Sequence, residues 1–450
     1  MQYFWKQMTI KYFSWSLTLL LGIIIFSSCL NTNDSDTEFL SDAQIYGITL
    51  SAAYDSTGIL ANAKFSIDQR ASLIYNRDSL DFGFEPKDAY LTLELKFATG
   101  VVIHLQNPDS TYFWNNTDSV DISRLKYIEV VAQDGITTKK YEFKLNIHQQ
   151  NPHLLVWTQL TDMYLNLPVD AQKTIVFNNK FYTYYRSGQS IKGVESSNGI
   201  TNTQLDIIGL PLNVQFSSII STPTGIYALD NSYNLYKTND GALWTIVPTI
   251  YPLKAIYGIL PSVSTDSLLT TIDDRGVLKF AKTLDFTSFH VMNAIPNDFP
   301  VTQFSAANIK DTTVVWRKYM FLSGGKNADN ALNSKIWIIQ EEDNIKISTS
   351  GKTAPMPTQG STLFPYDQNI YMLTTATESK NVLYISEKGN GIAWNLADSL
   401  QALPSSFNYR TNASIIVDEK NYIWIFGGTS ERQTELTDVW RGRLNRLAVN

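Results

Sequence analysis

The last 300 residues of the chain contain an internal repeat, and this repeat constrains the fold more than any other feature. Each unit has an apolar strand, a turn, a second strand and often a terminal aromatic residue. Six units can be read, with apolar strands at 174–177, 225–229, 276–280, 319–323, 369–373 and 422–426. A period of roughly 40–50 residues made only of strands predicts a β-propeller, with six blades as the natural count.

Two of the units resemble kelch repeats, in which an apolar strand ends in Gly-Gly and a tryptophan follows. The residues that carry this resemblance are Gly324, Gly325 and Trp337 in one unit, and Gly427, Gly428 and Trp440 in the other. Glycine permits a tight turn and tryptophan packs between blades, so the motif predicts a structure and not an activity.

A third unit resembles the Asp-box of sialidase-like propellers. It runs from Thr238 through Asp240 and Gly241 to Trp244, one residue shorter than the usual spacing. A further copy from Ser386 to Trp394 is one residue longer and has no aspartate. The aspartate of such a motif caps a turn through the backbone, so this resemblance is also structural.

The propeller is predicted to span residues 151–450, starting at Asn151-Pro152, because proline interrupts a strand ladder. Segment 154–160 looks like the outer strand of a blade, whereas the last unit ends near the C-terminus at 439–444. We predict that segment 154–160 completes the final blade, since this closure removes exposed strand edges.

Residues 41–150 alternate between polar and apolar in short runs, which predicts a β-sandwich. The clearest pair of strands, 127–132 and 140–147, flanks Asp134-Gly135, a hairpin signal. This ending resembles the closing hairpin of bacterial cadherin-like or immunoglobulin-like sandwiches, with the spacing to Tyr141 one residue longer. The chain is therefore expected to be all-β, with an Ig/cadherin-like sandwich followed by a propeller.

The N-terminus has the composition of a secretory signal. Lys6 and Lys11 precede an apolar run at 17–26, which is shorter than the roughly 20 apolar residues of a membrane span. Phe26-Ser27-Ser28-Cys29 resembles the lipobox of bacterial lipoproteins, which implies a signal peptide at 1–28 and a lipid on Cys29. Cys29 is the only cysteine, so disulfides and thiolate sites are excluded from the mature chain.

Residues 29–40 form an acidic tether after the lipidated cysteine. In Bacteroidota lipoproteins such residues resemble a signal for export to the outer face of the outer membrane; the alternative is a solvated linker. The expected location is the outer membrane, exposed at the surface or on the periplasmic side.

The charge pattern excludes one class of partner. The formal net charge is −6, and lysine and arginine are scattered, so no basic surface for nucleic acid is expected. Only 17% of residues are charged, against about 25% in typical domains, while 12% are aromatic. This composition is typical of β-sheets.

The search for chemistry yields one cluster, Asp273-Asp274-Arg275, in a turn between predicted strands. It is a candidate ligand face that could present two carboxylates and a cation, whereas the alternative is a polar β-turn. The propeller arginines do not lie in the sialidase first-strand motif. Four histidines without paired spacing predict neither a metal site nor a cofactor.

Two further patterns leave alternatives open. The aromatic segments 112–114 and 181–185 could stack on sugars or be buried in strands. Asp followed by Ser or Thr is similar to the O-glycosylation site of Bacteroidota; the copies begin at Asp55, Asp78, Asp109, Asp118, Asp266, Asp311 and Asp398.

Taken together, these features resemble an uncharacterised family of Bacteroidota lipoproteins with a sandwich and a C-terminal propeller. The resemblance implies a lipid-anchored binding protein of the cell envelope whose propeller binds a glycan or a protein partner without catalysis. The alternatives are a glycoside hydrolase or lyase that uses Asp273 and Asp274, and a scaffold within an outer-membrane complex.

Overall fold

The computed structural model describes residues 40–166, 168–310, 318–350, 356–377 and 380–448. The predicted signal peptide, Cys29 and the tether as far as residue 39 lie outside these residues. Within the described part of the chain, no helix has the length and apolar character that a membrane crossing needs. Contacts divide the chain into two units, between Gln149 and Gln150.

The first unit is a sandwich of two sheets. Its strands are β1 (Ile45–Ser51), β2 (Phe65–Asp68), β3 (Leu73–Asn76), β4 (Asp88–Leu95), β5 (Ala98–Leu105), β6 (Ser110–Trp114), β7 (Ser119–Asp121), β8 (Leu125–Ala132) and β9 (Thr138–Lys144). The smaller sheet has the order β1-β4-β7 and the larger β2-β3-β9-β8-β5-β6, in which β3 and β9 are parallel. Alternate residues of both sheets form one apolar core. The assignment to a cadherin-like or Ig-like class stays a prediction.

The predicted hairpin at Asp134-Gly135 joins the antiparallel strands β8 and β9. The Asp134 carboxylate accepts hydrogen bonds from the backbone N–H groups of Ile136 and Thr137, at 2.9 and 2.8 Å. Gly135 has φ +68°, the left-handed conformation that such a turn requires. The local sequence therefore specifies this turn completely.

The second unit is built from four-stranded antiparallel sheets, and the described residues contain six of them. Sheet 1 comprises β11 (Ala171–Phe177), β12 (Lys180–Ser187), β13 (Ser190–Ser196) and β14 (Thr203–Leu205). Sheet 2 comprises β15 (Ile220–Thr222), β16 (Gly225–Leu229), β17 (Leu235–Thr238) and β18 (Thr245–Val247). Sheet 3 comprises β19 (Leu253–Leu260), β20 (Ser267–Asp274), β21 (Val277–Thr283) and β22 (His290–Ala294).

The remaining sheets follow the same plan. Sheet 4 comprises β23 (Thr302–Lys310), β24 (Lys318–Lys326), β25 (Ile336–Glu341) and β26 (Ile345–Thr349). Sheet 5 comprises β27 (Thr362–Tyr366), β28 (Asn369–Thr377), β29 (Lys380–Ser386) and β30 (Asn395–Leu396). Sheet 6 comprises β31 (Ser414–Val417), β32 (Ile423–Thr429), β33 (Glu435–Leu444) and, as its outer strand, β10 (Leu155–Thr161).

The sheets form a closed ring. Apolar clusters lie between sheets 1 and 2, 2 and 3, 3 and 4, 4 and 5, and 5 and 6. A sixth cluster joins sheet 6 to sheet 1, where the Phe181 ring lies 5.0 Å from both Trp424 and Phe426. This circular arrangement of sheets is the propeller that the repeat predicts.

Strand β10 pairs antiparallel with β33, from Leu155 opposite Leu444 to Thr161 opposite Val439. The first strand of the domain is therefore the outer strand of its last sheet. Toward the ring centre, side chains of one sheet accept hydrogen bonds from backbone N–H groups on the innermost strand of the neighbouring sheet. Thr174 N–H donates to Ser414 Oγ at 3.0 Å. Leu363 N–H donates likewise to Ser305 Oγ at 2.9 Å.

A buried ion pair stabilises the last sheet. Arg410 has no exposed side-chain surface, and it donates to both Asp438 oxygens at 2.8 Å and to the Gly427 carbonyl at 3.0 Å. Asp438 also accepts from Trp440 Nε1 at 2.8 Å. Each charge depends on the other, because both side chains are buried.

We expect Arg410→Met to lower the free energy of unfolding by about 3–5 kcal/mol, because it leaves the Asp438 carboxylate buried without its partner. Denaturant titration followed by tryptophan fluorescence measures this change. Arg443→Met is the control, since its guanidinium lies over the Tyr422 ring at 4.0 Å, a contact of about 1 kcal/mol. Equal costs for the two variants would contradict the prediction.

Candidate functional site

Two classes of connection define one end of the propeller. Strands alternate in direction within each sheet, so the loops that enter the innermost strands lie at the same end as the turns between second and third strands. We call this end the upper face and the opposite end the lower face.

The predicted cluster Asp273-Asp274-Arg275 lies in the turn from β20 to β21, on the upper face. Arg275 and Gly276 have φ +57° and +85°, as in a two-residue hairpin with both central residues left-handed. The Asp273 carboxylate accepts the Gly276 N–H at 2.7 Å, and the Asp273 N–H donates to the Pro252 carbonyl at 2.9 Å. Asp273 therefore stabilises its own turn.

Asp274 has a different structural partner. Lys279 Nζ lies 2.7 Å from its carboxylate, and this hydrogen bond is the main reason that the pKa of Asp274 falls below its usual value. The two carboxylates thus have separate contacts, the turn for one and a lysine for the other. This is the geometry of the polar β-turn that was the alternative interpretation.

The Asp-box residues lie in the turn after the third strand of sheet 2, on the lower face. Asp240 accepts hydrogen bonds from Ala242 N–H and Leu243 N–H, each at 2.9 Å, which lower the pKa of its carboxyl group. Gly241 has φ +84°, and a Cβ here would lie 2.4 Å from the Tyr182 ring. Trp244 packs between sheets 1 and 2.

The same turn recurs in sheet 5, where the sequence shows no aspartate. Asn390 takes its place: its side-chain oxygen accepts the Ile392 N–H at 2.9 Å, while Ser386 Oγ accepts the Gly391 N–H at 3.0 Å. Trp394 donates to the Gly391 carbonyl at 3.1 Å and packs between sheets 4 and 5.

Sheets 1 and 3 contain two further copies that the sequence analysis missed. In sheet 1, Asn198 accepts the Ile200 N–H at 2.9 Å. In sheet 3, Thr283 Oγ accepts the Phe286 N–H at 2.8 Å. Phe286 is fully buried with φ +66° at the position that glycine occupies elsewhere. A search for Ser or Thr two residues before Asp or Asn would have found both.

The kelch-like residues lie in sheets 4 and 6 and make equivalent contacts. The Gly324 carbonyl accepts the Asn333 amide at 2.8 Å, and Trp337 Nε1 donates to Asn333 at 3.1 Å. In sheet 6, Arg410 and Asp438 take the roles of Asn333 with Gly427 and Trp440. These repeat residues therefore lie in contacts that connect or shape the sheets.

The aromatic segment 181–185 forms no exposed platform in the structure. The side chains of Phe181, Tyr182, Tyr184 and Tyr185 are buried between sheets. In the first unit, Phe113 is 79% exposed, whereas Tyr112 and Trp114 pack against the core. Burial, the alternative interpretation, therefore accounts for segment 181–185.

The Asp-Ser and Asp-Thr motifs differ in accessibility. Five of their hydroxyl residues are exposed: Ser56, Ser79, Ser110, Ser119 and Ser399. Ser267 is buried in β20, so this site is closed to modification in the folded chain, and Thr312 lies outside the described residues. Glycosylation of the exposed sites stays a prediction.

The upper face has a small depression at its centre. The 3-10 turn Phe216–Ser218 lies within 8 Å, Cα to Cα, of β11, β16, β19 and β23, which belong to four different sheets. Beside it is a shallow, open depression, whose empty volume of about 220 Å³ includes open solvent. Its polar lining residues are Gln215, Ser217, Ser218, Lys254, Thr302 and Gln303.

Two of the lining residues, Gln303 and Lys254, have distinctive conformations or contacts. Gln303 is exposed on β23 with φ +57°, a strained conformation for this residue type. Lys254 lies over the Tyr233 ring at 4.3 Å. Asp273 and Asp274 are outside this lining, and the depression contains no carboxylate among the described residues.

Lys173 is a second cation near the centre. It lies on β11, the innermost strand of sheet 1, and burial lowers the pKa of its ammonium. The described residues supply no hydrogen bond or ion pair to it. Sequence reasoning missed this residue, because a single lysine in a short strand carries no signal.

The four histidines take part in no metal cluster. No group of three or more His, Cys, Asp and Glu side chains with metal-binding geometry occurs in the part of the chain that the structure describes. His104 instead contacts Glu129 at 2.7 Å and Thr111 at 3.2 Å, and His153 contacts Arg446 at 3.0 Å.

Family comparison supports the division into two units. Residues 151–450 match the family described as "DUF6242 beta propeller domain", and residues 37–145 match "Domain of unknown function (DUF6242) N-terminal domain". The chain therefore belongs to the DUF6242 family. No curated protein matches it.

Solved structures are similar only at a distance. YjhT is 11% identical, covers 61% of this chain and 94% of its own, and has a TM-score of 0.43. A protein of unknown function from Dyadobacter fermentans DSM 18053 is 11% identical, covers 64% of this chain and 99% of its own, and has a TM-score of 0.44. A fucose-specific lectin from Aleuria aurantia is 12% identical, covers 60% of this chain and 92% of its own, and has a TM-score of 0.37. Nothing about the activity of this chain follows from these similarities.

Lys173→Met should raise the Tm by roughly 2 °C or more near pH 7, because it removes a poorly solvated charge. Because the pKa of Lys173 is lower in the folded chain, the unfolded chain binds more protons than the folded chain at pH values between the folded-state pKa and 10.5. Stability of the natural protein therefore rises with pH through this window, and the advantage of the variant should shrink as the pH approaches 10.5.

Thermal unfolding of both proteins at about pH 7 and about pH 10 measures this effect. Lys180→Met is the matched control, since Lys180 lies in the same sheet but pairs with Glu195 at 3.0 Å. A Tm for Lys173→Met below that of the natural protein at the lower pH would show that the ammonium has a stabilising partner.

Proposed function

We propose that this protein is a lipid-anchored binding protein of the cell envelope, in which the upper face of the propeller binds a glycan without chemical change to it. The anchor rests on the sequence around Cys29. The observation that carries the binding proposal is the lining of the depression, which includes residues with hydroxyl, amide and ammonium groups. Such groups are suited to the hydroxyl-rich surface of a sugar.

The size of the depression limits what it encloses. The depression is shallow, since only about 10 Å³ of it admits the centre of a water molecule and its empty volume of about 220 Å³ includes open solvent. A ligand on this face therefore makes most of its contacts with the surrounding loops.

The enzyme alternative requires two carboxylates on either side of a glycosidic bond, about 5–10 Å apart. Asp273 and Asp274 have structural partners and lie outside the lining, which favours binding over hydrolysis. The scaffold alternative gains support from exposed aliphatic side chains on upper-face loops, namely Met163, Leu212, Ile250 and Leu332. A protein partner on this face is therefore the second candidate.

A glycan array probed with the full chain, with released sugars assayed in the same wells, tests the proposal. We expect binding without release. Lys254→Met should weaken binding by roughly tenfold, the effect of one charge-assisted hydrogen bond, whereas Lys388→Met on the lower face should not. Release of sugars would establish the enzyme, and absence of any binding would favour the scaffold.

The carboxylates have their own test. Asp273→Asn and Asp274→Asn should leave glycan binding within about twofold, since Asp273 stabilises its own turn and Asp274 pairs with Lys279. Titration of the array ligand against each variant measures this. Loss of sugar release in either variant, with binding retained, would assign the carboxylates to catalysis.

A further inference from the structure

Two arginines lie side by side on the last sheet. Arg441 and Arg443 are two residues apart on β33, so their side chains point to the same side of the sheet. This side faces sheet 1, because the cross-strand partner of Arg441 is Trp424, a member of the cluster between sheets 6 and 1. Neither arginine belongs to the lining of the depression on the upper face.

Solvent reaches this part of the sheet. Both arginine side chains are half-buried, whereas Gly442 between them is buried. Their cross-strand partners on the outer strand β10 are exposed: Thr158 lies opposite Arg441, and Val156, which is 46% exposed, lies opposite Arg443. Since cross-strand partners point to the same side of a sheet, the two guanidinium groups belong to a surface that a ligand can reach.

The two guanidinium groups share one aromatic ring. The guanidinium carbon of Arg443 lies 4.0 Å from the centroid of the Tyr422 ring, and that of Arg441 lies 4.3 Å from the same point. A guanidinium that lies over a ring contacts it with its face, so the N–H groups at its edge stay available to acceptors.

Neither arginine has an anionic partner in the part of the chain that the structure describes. No ion pair or hydrogen bond connects either guanidinium to another of those residues. The Asp418 carboxylate, in the turn before β32, instead accepts the Tyr422 N–H and Trp424 Nε1–H, both at 2.8 Å. Two like charges beside one ring repel each other, and an anion bound between them relieves this repulsion.

The number of donors and charges indicates which anion fits. A carboxylate has two oxygens, which a single guanidinium occupies in a bidentate pair. A phosphate monoester has three free oxygens and close to two negative charges near pH 7, which match two guanidinium groups. We infer that Arg441 and Arg443 form a binding site for the phosphate monoester of a small solute such as a sugar phosphate. This site is separate from the glycan surface proposed on the upper face.

Calorimetric titration of the full chain in phosphate-free buffer tests this inference. The probes are glucose 6-phosphate, inorganic phosphate, glucuronate and glucose. We expect glucose 6-phosphate to bind about tenfold or more tightly than glucuronate, because the carboxylate satisfies one guanidinium only, and more tightly still than glucose. Inorganic phosphate identifies the source: weaker binding than the ester supports a sugar phosphate, and equal or tighter binding supports the same site for free phosphate.

Four variants assign the effect to the two arginines. Arg441→Gln and Arg443→Gln should each weaken binding of glucose 6-phosphate by about tenfold. Arg441→Lys should weaken it by at least about threefold, because lysine keeps the charge and loses the planar fork. Arg446→Gln is the matched control: Arg446 follows β33 and is exposed, but it pairs with Asp367, so binding should stay within about twofold. Circular dichroism shows whether each variant is folded.

The results that would overturn the inference are distinct. Glucose 6-phosphate that binds no more tightly than glucose to the natural protein would exclude a phosphate site. An equal loss of affinity in Arg446→Gln and Arg441→Gln would show general electrostatic attraction in place of a site. Unchanged affinity in Arg441→Lys would contradict the paired guanidinium geometry.

Discussion

The pairing of β10 with β33 is the constraint on which the propeller depends. Each apolar cluster of the second unit is shared by two neighbouring sheets, so no sheet has a complete core of its own. A ring in which every core is shared requires that the last sheet meet the first. Strand β10 comes from the start of the domain and completes sheet 6, and this closes the ring through hydrogen bonds as well as through the cluster around Phe181. The Arg410–Asp438 pair lies in this same sheet, where a buried charge is tolerated only in an ordered structure.

Much of this architecture is encoded locally. Strand-length apolar runs, Asp-Gly and Gly-Gly turns and tryptophans at regular intervals are short-range signals, and they predict both the all-β class and the propeller. The turns also show features that short sequence motifs do not predict. Asn390 accepts the turn hydrogen bond that an aspartate accepts in sheet 2, and Phe286 has a left-handed backbone conformation where glycine is expected. Burial of the Phe286 ring against Tyr227, at 4.8 Å between centroids, offsets the backbone strain, and burial is not visible in a single sequence.

The candidate site could not be predicted for a related reason. Its members come from strands and loops of sheets 2 to 4, from Gln215 to Phe304. Asp273 and Asp274 attract notice in the sequence because they are adjacent, yet their contacts are with Gly276 and Lys279. Lys173 attracts none, because only the fold shows that burial lowers the pKa of its ammonium and that the described residues supply it no ion pair. A site of this kind is defined by what the ring places opposite a residue, and that information is long-range.

The distribution of charge on the innermost strands bears on why Lys173 is a lysine. Packing alone would be served by an apolar side chain, as at Ile175 on the same side of β11, which joins the cluster between sheets 1 and 2. Lys310 shows that the ring can supply a carboxylate to a cation, since Asp266 lies 2.9 Å away. At Lys173 the described residues supply none, so we expect its charge to lower stability, whereas the charge of Lys310 has a carboxylate beside it.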